Sequence, residues 1–128
     1  MSRLTLDHAS CVYRSAEMAH RILGQCLGMT HLRSFTLAPQ AAGALFRLDR
    51  PVEVMAFGAD RRLLEAFIVP EHGGSASPAH ACIIVENVAA TLDRCRVNGA
   101  EVRTATVGEH EVFFVADPDG NLYELKQG

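Results

Sequence analysis

Phe113-Phe114-Val115-Ala116-Asp117-Pro118-Asp119-Gly120-Asn121-Leu122-Tyr123-Glu124-Leu125 is the stretch on which the reading of this chain turns. An apolar strand runs into Asp-Pro-Asp-Gly. There Pro118 presets φ, the two aspartates can bond the local backbone, and Gly120 supplies a positive φ. A second apolar strand leaves the turn with a carboxylate, Glu124, between Tyr123 and Leu125. In a half-buried strand such a residue either faces solvent or is buried with a partner. Buried alone it would cost several kcal/mol, so a buried reading demands a cation or a metal. From this strand alone both readings stand.

The surroundings narrow the class of protein. The chain has 128 residues, 48% hydrophobic and 21% charged, which suits one globular domain or two small fused modules. A net charge of −3 with a pI near 6.0 provides no basic field of the kind nucleic-acid binders use. No apolar run approaches the roughly 18–20 residues that cross a bilayer, and the first residues carry no signal-peptide core. We therefore expect no nucleic-acid or membrane partner and a cytoplasmic location. Cys11, Cys26, Cys82 and Cys95 form no C-x-x-C pair and read as reduced, small apolar core residues.

Working outward, Leu4 to Tyr13 reads as a strand with Leu4, Leu6, His8, Ser10 and Val12 on one face. Ser15 suits an N-cap, and Ala19, Ile22, Leu23, Cys26 and Leu27 recur at helical spacing up to a stop at Gly28. Thr30 to Leu37 reads as a strand. Residues 38–50 are open between loop, helical turn and hairpin connection, and also open is whether they lid a site. Val52 to Phe57, a turn at Gly58-Ala59-Asp60-Arg61 and Leu63 to Val69 read as a hairpin, with Glu65 among apolar residues. A Pro-, Gly- and Ser-rich linker follows, ending at Pro78. Then the pattern restarts: a strand from Ala79 to Glu86, a cap at Asn87, a helix from Val88 to Val97 ending at Asn98-Gly99, strands at Ala100–Thr106 and Glu111–Ala116, and the closing hairpin.

The two halves correspond, and this reopens the question of Glu124. Leu6-Asp7-His8-Ala9 aligns with Pro78-Ala79-His80-Ala81, the helices end at Gly28 and Gly99, and the last strands carry Glu65 and Glu124. His8 and Glu65 are 57 positions apart and His80 and Glu124 are 44 apart, so the first module carries 13 extra residues, most naturally within 38–50. Two histidines and two glutamates thus occupy equivalent places in two copies of one unit. Two imidazoles and two carboxylates suit a divalent transition metal with room for water or substrate, and a metal would relieve the desolvation of strand carboxylates.

With those residues in hand, the whole chain resembles the vicinal oxygen chelate superfamily, which includes glyoxalase I, fosfomycin- and bleomycin-resistance proteins, methylmalonyl-CoA epimerase and extradiol dioxygenases. The stretches that carry the resemblance are Leu6-Asp7-His8, the His80 strand and the closing Phe114–Leu125 motif. It implies an α+β fold in which two βαβββ modules in tandem, each with a curved mixed sheet, form a metal-binding cleft. The 128 residues then make a single glyoxalase-like domain, with module 1 at about 1–70, a linker at 71–78 and module 2 at about 79–128. Members of this length usually dimerise, often building each site from two chains, so a homodimer is expected.

The resemblance puts metal ligands at His8, Glu65, His80 and Glu124. That set is similar to bacterial glyoxalase I, with nickel or zinc as the expected metal and cobalt, manganese or iron as alternatives. It implies a metal-dependent isomerase or lyase, like lactoylglutathione lyase, acting through an enediolate on a small vicinal-oxygen substrate. Glu124 is then the catalytic base and Glu65 its opposite-face partner. The alternative on the same scaffold is a resistance protein, either a fosfomycin thiol transferase or a bleomycin-like sequestering protein. One departure matters: the positions at which bacterial glyoxalase I holds glutathione are Val12 and Val69 here, and an apolar side chain cannot pair a carboxylate. Arg14, Arg47 and Arg50 read as surface charges, His20 and His31 as surface residues, His72 as a linker residue and Tyr13 and Tyr123 as core or rim. His110 is a candidate for the site mouth and Ser10 for a substrate contact.

Overall fold

Both halves of the chain fold as the alternation predicts. The computed structural model describes residues 8–59, 62–73, 79–107 and 109–128, with the side chain of Arg62 outside it. Module 1 runs β1 (His8–Tyr13), a helix α1 (Ala16–Ala19) that continues as a π-helical segment (His20–Cys26), β2 (Thr30–Leu37), α2 (Pro39–Phe46), β3 (Val52–Ala59) and β4 (Arg62–Ile68). Module 2 runs β5 (Ala81–Val85), α3 (Val88–Val97), β6 (Glu101–Val107), β7 (His110–Ala116) and β8 (Leu122–Gln127). Each module forms a four-stranded mixed sheet, ordered β1-β4-β3-β2 and β5-β8-β7-β6, in which only the first and last strands run parallel.

Local chemistry fixes the helix ends. Ser15 Oγ accepts the Met18 amide at 3.1 Å, Asn87 Oδ1 accepts the Ala90 amide at 2.9 Å, and Gly28 and Gly99 take the positive φ that closes α1 and α3. The ambiguous segment 38–50 resolves as α2, opened by Pro39 in its first turn and ended by Arg47 at φ 61°. Some sequence boundaries move. Gly58 and Ala59, expected in a turn, are the last residues of β3, because both pair with β4 across Leu63 and Arg62. The strand expected from Ala79 starts at Ala81. Leu4–Asp7, Asp60–Arg61 and most of the linker lie outside the described residues.

One core serves both modules. α1 and α3 lie on the same side of the two sheets, and Ile22, Leu23, Cys26, Leu92 and Cys95 pack with Tyr13, Phe57, Tyr123 and Leu125. Arg94 Nε donates to the Cys26 carbonyl at 3.3 Å and the Cys26 thiol to the Arg94 carbonyl at 3.6 Å, which ties the two helices. Three of the four cysteines are buried as expected. Cys82 is exposed, because alternation puts it on the face of β5 that no helix covers. The core side of each last strand takes Leu64 and Ala66, or Tyr123 and Leu125. The opposite, open face therefore receives the glutamates between them.

Candidate functional site

Parallel pairing of first and last strands carries the histidines to the glutamates. In module 1, Ser10 lies in register with Glu65, so His8, two residues earlier on the same face, reaches it: His8 Nε2 is 3.3 Å from Glu65 Oε1. In module 2, Cys82 lies in register with Glu124, and His80 Nε2 is 3.4 Å from Glu124 Oε1. The carboxylates are sheltered, at 15% and 17% exposure, while the imidazoles are open at 40% and 33%. Each sheet thus presents one imidazole and one carboxylate at its open face.

These donors suit a divalent metal in kind, since imidazole nitrogen and carboxylate oxygen both bind zinc or nickel. In number, one half-site falls short of the three protein ligands that a catalytic zinc site uses. No cluster of three or more His, Cys, Asp or Glu side chains placed to hold a metal occurs among the described residues. A single chain forms two pairs, each the mirror of the other in register.

The walls of the two half-sites differ. In module 2, Phe114 stands opposite Glu124 on β7, and its ring packs edge-on against His80 with centroids 4.9 Å apart. In module 1 the corresponding place opposite Glu65 is Ala56. Module 1 has α2 instead. Ala42 of α2 packs with Val52 and Val69, flanked by Val12, Leu37 and Phe67, and Phe46 meets Phe67 edge-on at 5.1 Å. By alternation Phe67 and Val69 share the face of Glu65, so α2 forms an apolar wall beside that carboxylate. The two valines that stand where glutathione-holding residues were sought belong to this wall.

Between the modules, the closing turn reaches across to β1. Asn121 Oδ1 accepts the Val12 amide at 2.9 Å and its Nδ2 donates to the Val12 carbonyl at 2.5 Å, acting as a surrogate strand on the outer edge of β1. Asp119 accepts the Arg14 amide at 2.8 Å and Arg14 Nε at 2.6 Å, and Arg14 Nη2 donates to the Pro118 carbonyl. Beneath it, Asp117 Oδ1 accepts the amides of Asp119 and Asn121. Burial raises the Asp117 carboxyl above its usual range, against the pull of hydrogen bonds from Tyr13 and Asn121. Tyr13 and Tyr123 hydroxyls meet at 2.8 Å behind the site, and both phenols are driven well up, burial first. Burial also raises the Cys11 thiol to about 12, so it is no nucleophile.

Arg14 is engaged in the clasp, Arg47 donates to the Ala44 carbonyl at 3.1 Å, and Arg50 pairs with Glu71. Ser10, His72 and His80 line a cavity of about 340 Å³ at the seam of the modules, together with Asn121 and Leu122. His110 lines another, of about 810 Å³, shared with Glu124 and Lys126. Sequence reasoning passed over Asn121, Asp119 and Phe114. The two turn residues satisfy turn chemistry well enough to hide a second role, and Phe114 reads as one more apolar strand residue.

Comparison with known proteins follows the same lines. Residues 5–125 match the family model of the Glyoxalase/Bleomycin resistance protein/Dioxygenase superfamily. Similar solved structures include a glyoxalase family protein from Bacillus cereus, at TM-score 0.70 and 19% identity over 100% of this chain and 97% of that one. The trypanothione-dependent glyoxalase I of Leishmania major superposes at TM-score 0.71 with 19% identity over 98% and 87%. The fosfomycin resistance protein FosX of Mesorhizobium loti does so at 0.70 with 16% over 99% and 94%. No curated protein sequence matches. At these identities the structural likeness speaks for the fold.

Proposed function

The chain belongs to the Glyoxalase/Bleomycin resistance protein/Dioxygenase superfamily, and we propose that within it the protein is a metal-dependent isomerase or lyase of the glyoxalase type. The observation that carries this reading is the equivalence of the half-sites: His8–Glu65 and His80–Glu124 close at 3.3 and 3.4 Å in the same strand register. His8, Glu65, His80 and Glu124 would hold the ion, nickel or zinc by donor type. When bound, it supplies Lewis acidity toward vicinal oxygens of a small substrate. Glu124 takes a proton from one carbon and returns it to the neighbouring carbon, and Glu65 faces it from the other half-site.

A homodimer supplies the four groups that one chain does not gather: module 1 of one protomer meets module 2 of its partner. Apolar side chains on the open faces support this arrangement, since Phe35, Ile84 and Val107 stand 43%, 64% and 63% exposed there. The apolar wall at Val12 and Val69 favours a substrate without a carboxylate at that end, and so disfavours the glutathione hemithioacetal.

Complementation tests the shared site. H8Q/E65Q and H80Q/E124Q chains should each bind no catalytic metal. Mixed and refolded together, they should recover about one site in four at statistical pairing. No recovery refutes the two-chain site, whereas metal-free natural protein that still turns over substrate refutes the metal reading itself. A panel of methylglyoxal with various thiols, acyl-CoA esters and fosfomycin then assigns the substrate, and thiol addition to fosfomycin would favour the resistance-type alternative.

A further inference from the structure

On the helix side of module 1, away from both half-sites, two imidazoles converge. His20 opens the π-helical segment and His31 lies on β2, with ring centroids 5.0 Å apart at 87°, both rings resting on Phe57. Both residues are exposed. We propose that His20 and His31 form a second metal site, taking one divalent transition-metal ion such as Zn²⁺ with water completing its shell.

Three observations carry this. First, the spacing fits: two imidazoles bound through nitrogen at about 2.0–2.1 Å have ring centres about 5 Å apart when the angle at the metal is near tetrahedral. Second, His31 is held from behind. Its Nε2 lies 2.7 Å from Ser34 Oγ. In the tautomer that donates this hydrogen bond, Nδ1 keeps the lone pair, the arrangement by which metal-bound histidines are set. Third, His20 opens a seven-residue π-helical segment that follows the four α-helical residues Ala16–Ala19 and runs to the end of the helix. Such segments are rare and recur at functional sites, because the extra residue per turn re-aims side chains. Here the segment sets His20 over Phe57 and His31. Phe57 itself is fully buried, so the floor under both rings is fixed.

Zinc titration by calorimetry at neutral pH tests the proposal without any substrate. The H8Q/H80Q chain, deprived of the half-site imidazoles, should still bind one Zn²⁺ per chain, and adding H20Q and H31Q should abolish that binding. In the otherwise natural chain, H20Q or H31Q alone should weaken one binding step at least tenfold, and S34A should weaken the same step by a smaller factor. An H20Q/H31Q chain that binds as many zinc ions as the natural chain, with unchanged affinities, overturns the site. So does an H8Q/H80Q chain that is folded by circular dichroism and binds none. Because H20Q, H31Q and S34A leave both half-sites intact, failure here is separate from failure of the glyoxalase-type reading.

Discussion

Module 1 and module 2 place their His–Glu pairs identically and wall them differently. Ser10 faces Glu65 as Cys82 faces Glu124, and the histidine stands two residues before that position in both. Yet Ala56 occupies the place of Phe114, and α2 covers an end of module 1's open face that module 2 leaves bare. Backbone pairing is dictated by register and therefore repeats. Side-chain walls are dictated by single residues and insertions, so they diverge. The half-sites offer the same donors in unlike surroundings, which allows two chemically equal carboxylates to take unequal roles.

The largest expected effect breaks that equality. Glu124→Gln should lower turnover by about 10²–10⁴-fold, the range lost with a general base, while the protein stays folded. Glu65→Gln should reduce metal affinity more than it reduces turnover per bound metal. Measuring kcat alongside metal content separates the two, and equal losses of turnover per metal in both variants would show the modules to be interchangeable.

Next in size is the seam. Asn121→Ala deletes the two hydrogen bonds to Val12 and leaves Asp117 short of a donor. At about 1 kcal/mol per bond plus the cost of the stranded groups, unfolding should be easier by about 2–3 kcal/mol in urea melts. A change within about 0.5 kcal/mol of zero, the size of the extrapolation error, means that the shared core and the Arg14–Asp119 and Cys26–Arg94 contacts hold the modules together without Asn121. Smaller again is the effect of making module 1 resemble module 2. Ala42 is fully buried, and Ala42→Glu should undock α2 at a cost of about 1–2 kcal/mol, because the charge escapes to water with the helix. Limited proteolysis should then cut within 39–47 and nowhere new in module 2.

How much of this could be read from the chain depends on the physical range of each signal. The repeat, both helix caps and the His–Glu correspondence are local or periodic, and they were legible: Ser15, Asn87, Gly28 and Gly99 sit where their chemistry demands. α2 was not, because Pro39-Gln40-Ala41-Ala42-Gly43 mixes a helix starter with small residues and forms a helix only against the apolar wall it covers. The grip of Asn121 on Val12 spans 109 positions and leaves no trace in periodicity. The proposed pairing of the half-sites across chains is further still from any local pattern.

The smallest of these effects lies in the buried turn carboxylate of module 2. Asp117 is 6% exposed, and its donors are the Tyr13 hydroxyl, the Asp119 amide, the Asn121 amide and Asn121 Nδ2. Hydrogen bonds to a carboxylate lower its pKa and burial raises it; here burial prevails and the folded value lies above the usual 3.8. The sign follows from linkage. Between the unfolded and the raised folded pKa, the folded state holds the proton more tightly. Asp117 therefore contributes stability that is complete below the unfolded pKa and lost as pH rises through the folded one. Asp117→Asn removes this titration while shifting stability by a pH-independent amount. The stability of the natural protein minus that of the variant should thus fall as pH increases from about 3 into the range above the folded pKa, measured by urea melts at matched ionic strength. A difference that instead rises with pH would mean that these donors outweigh burial, and the clasp would then be held by an anion stabilised in place.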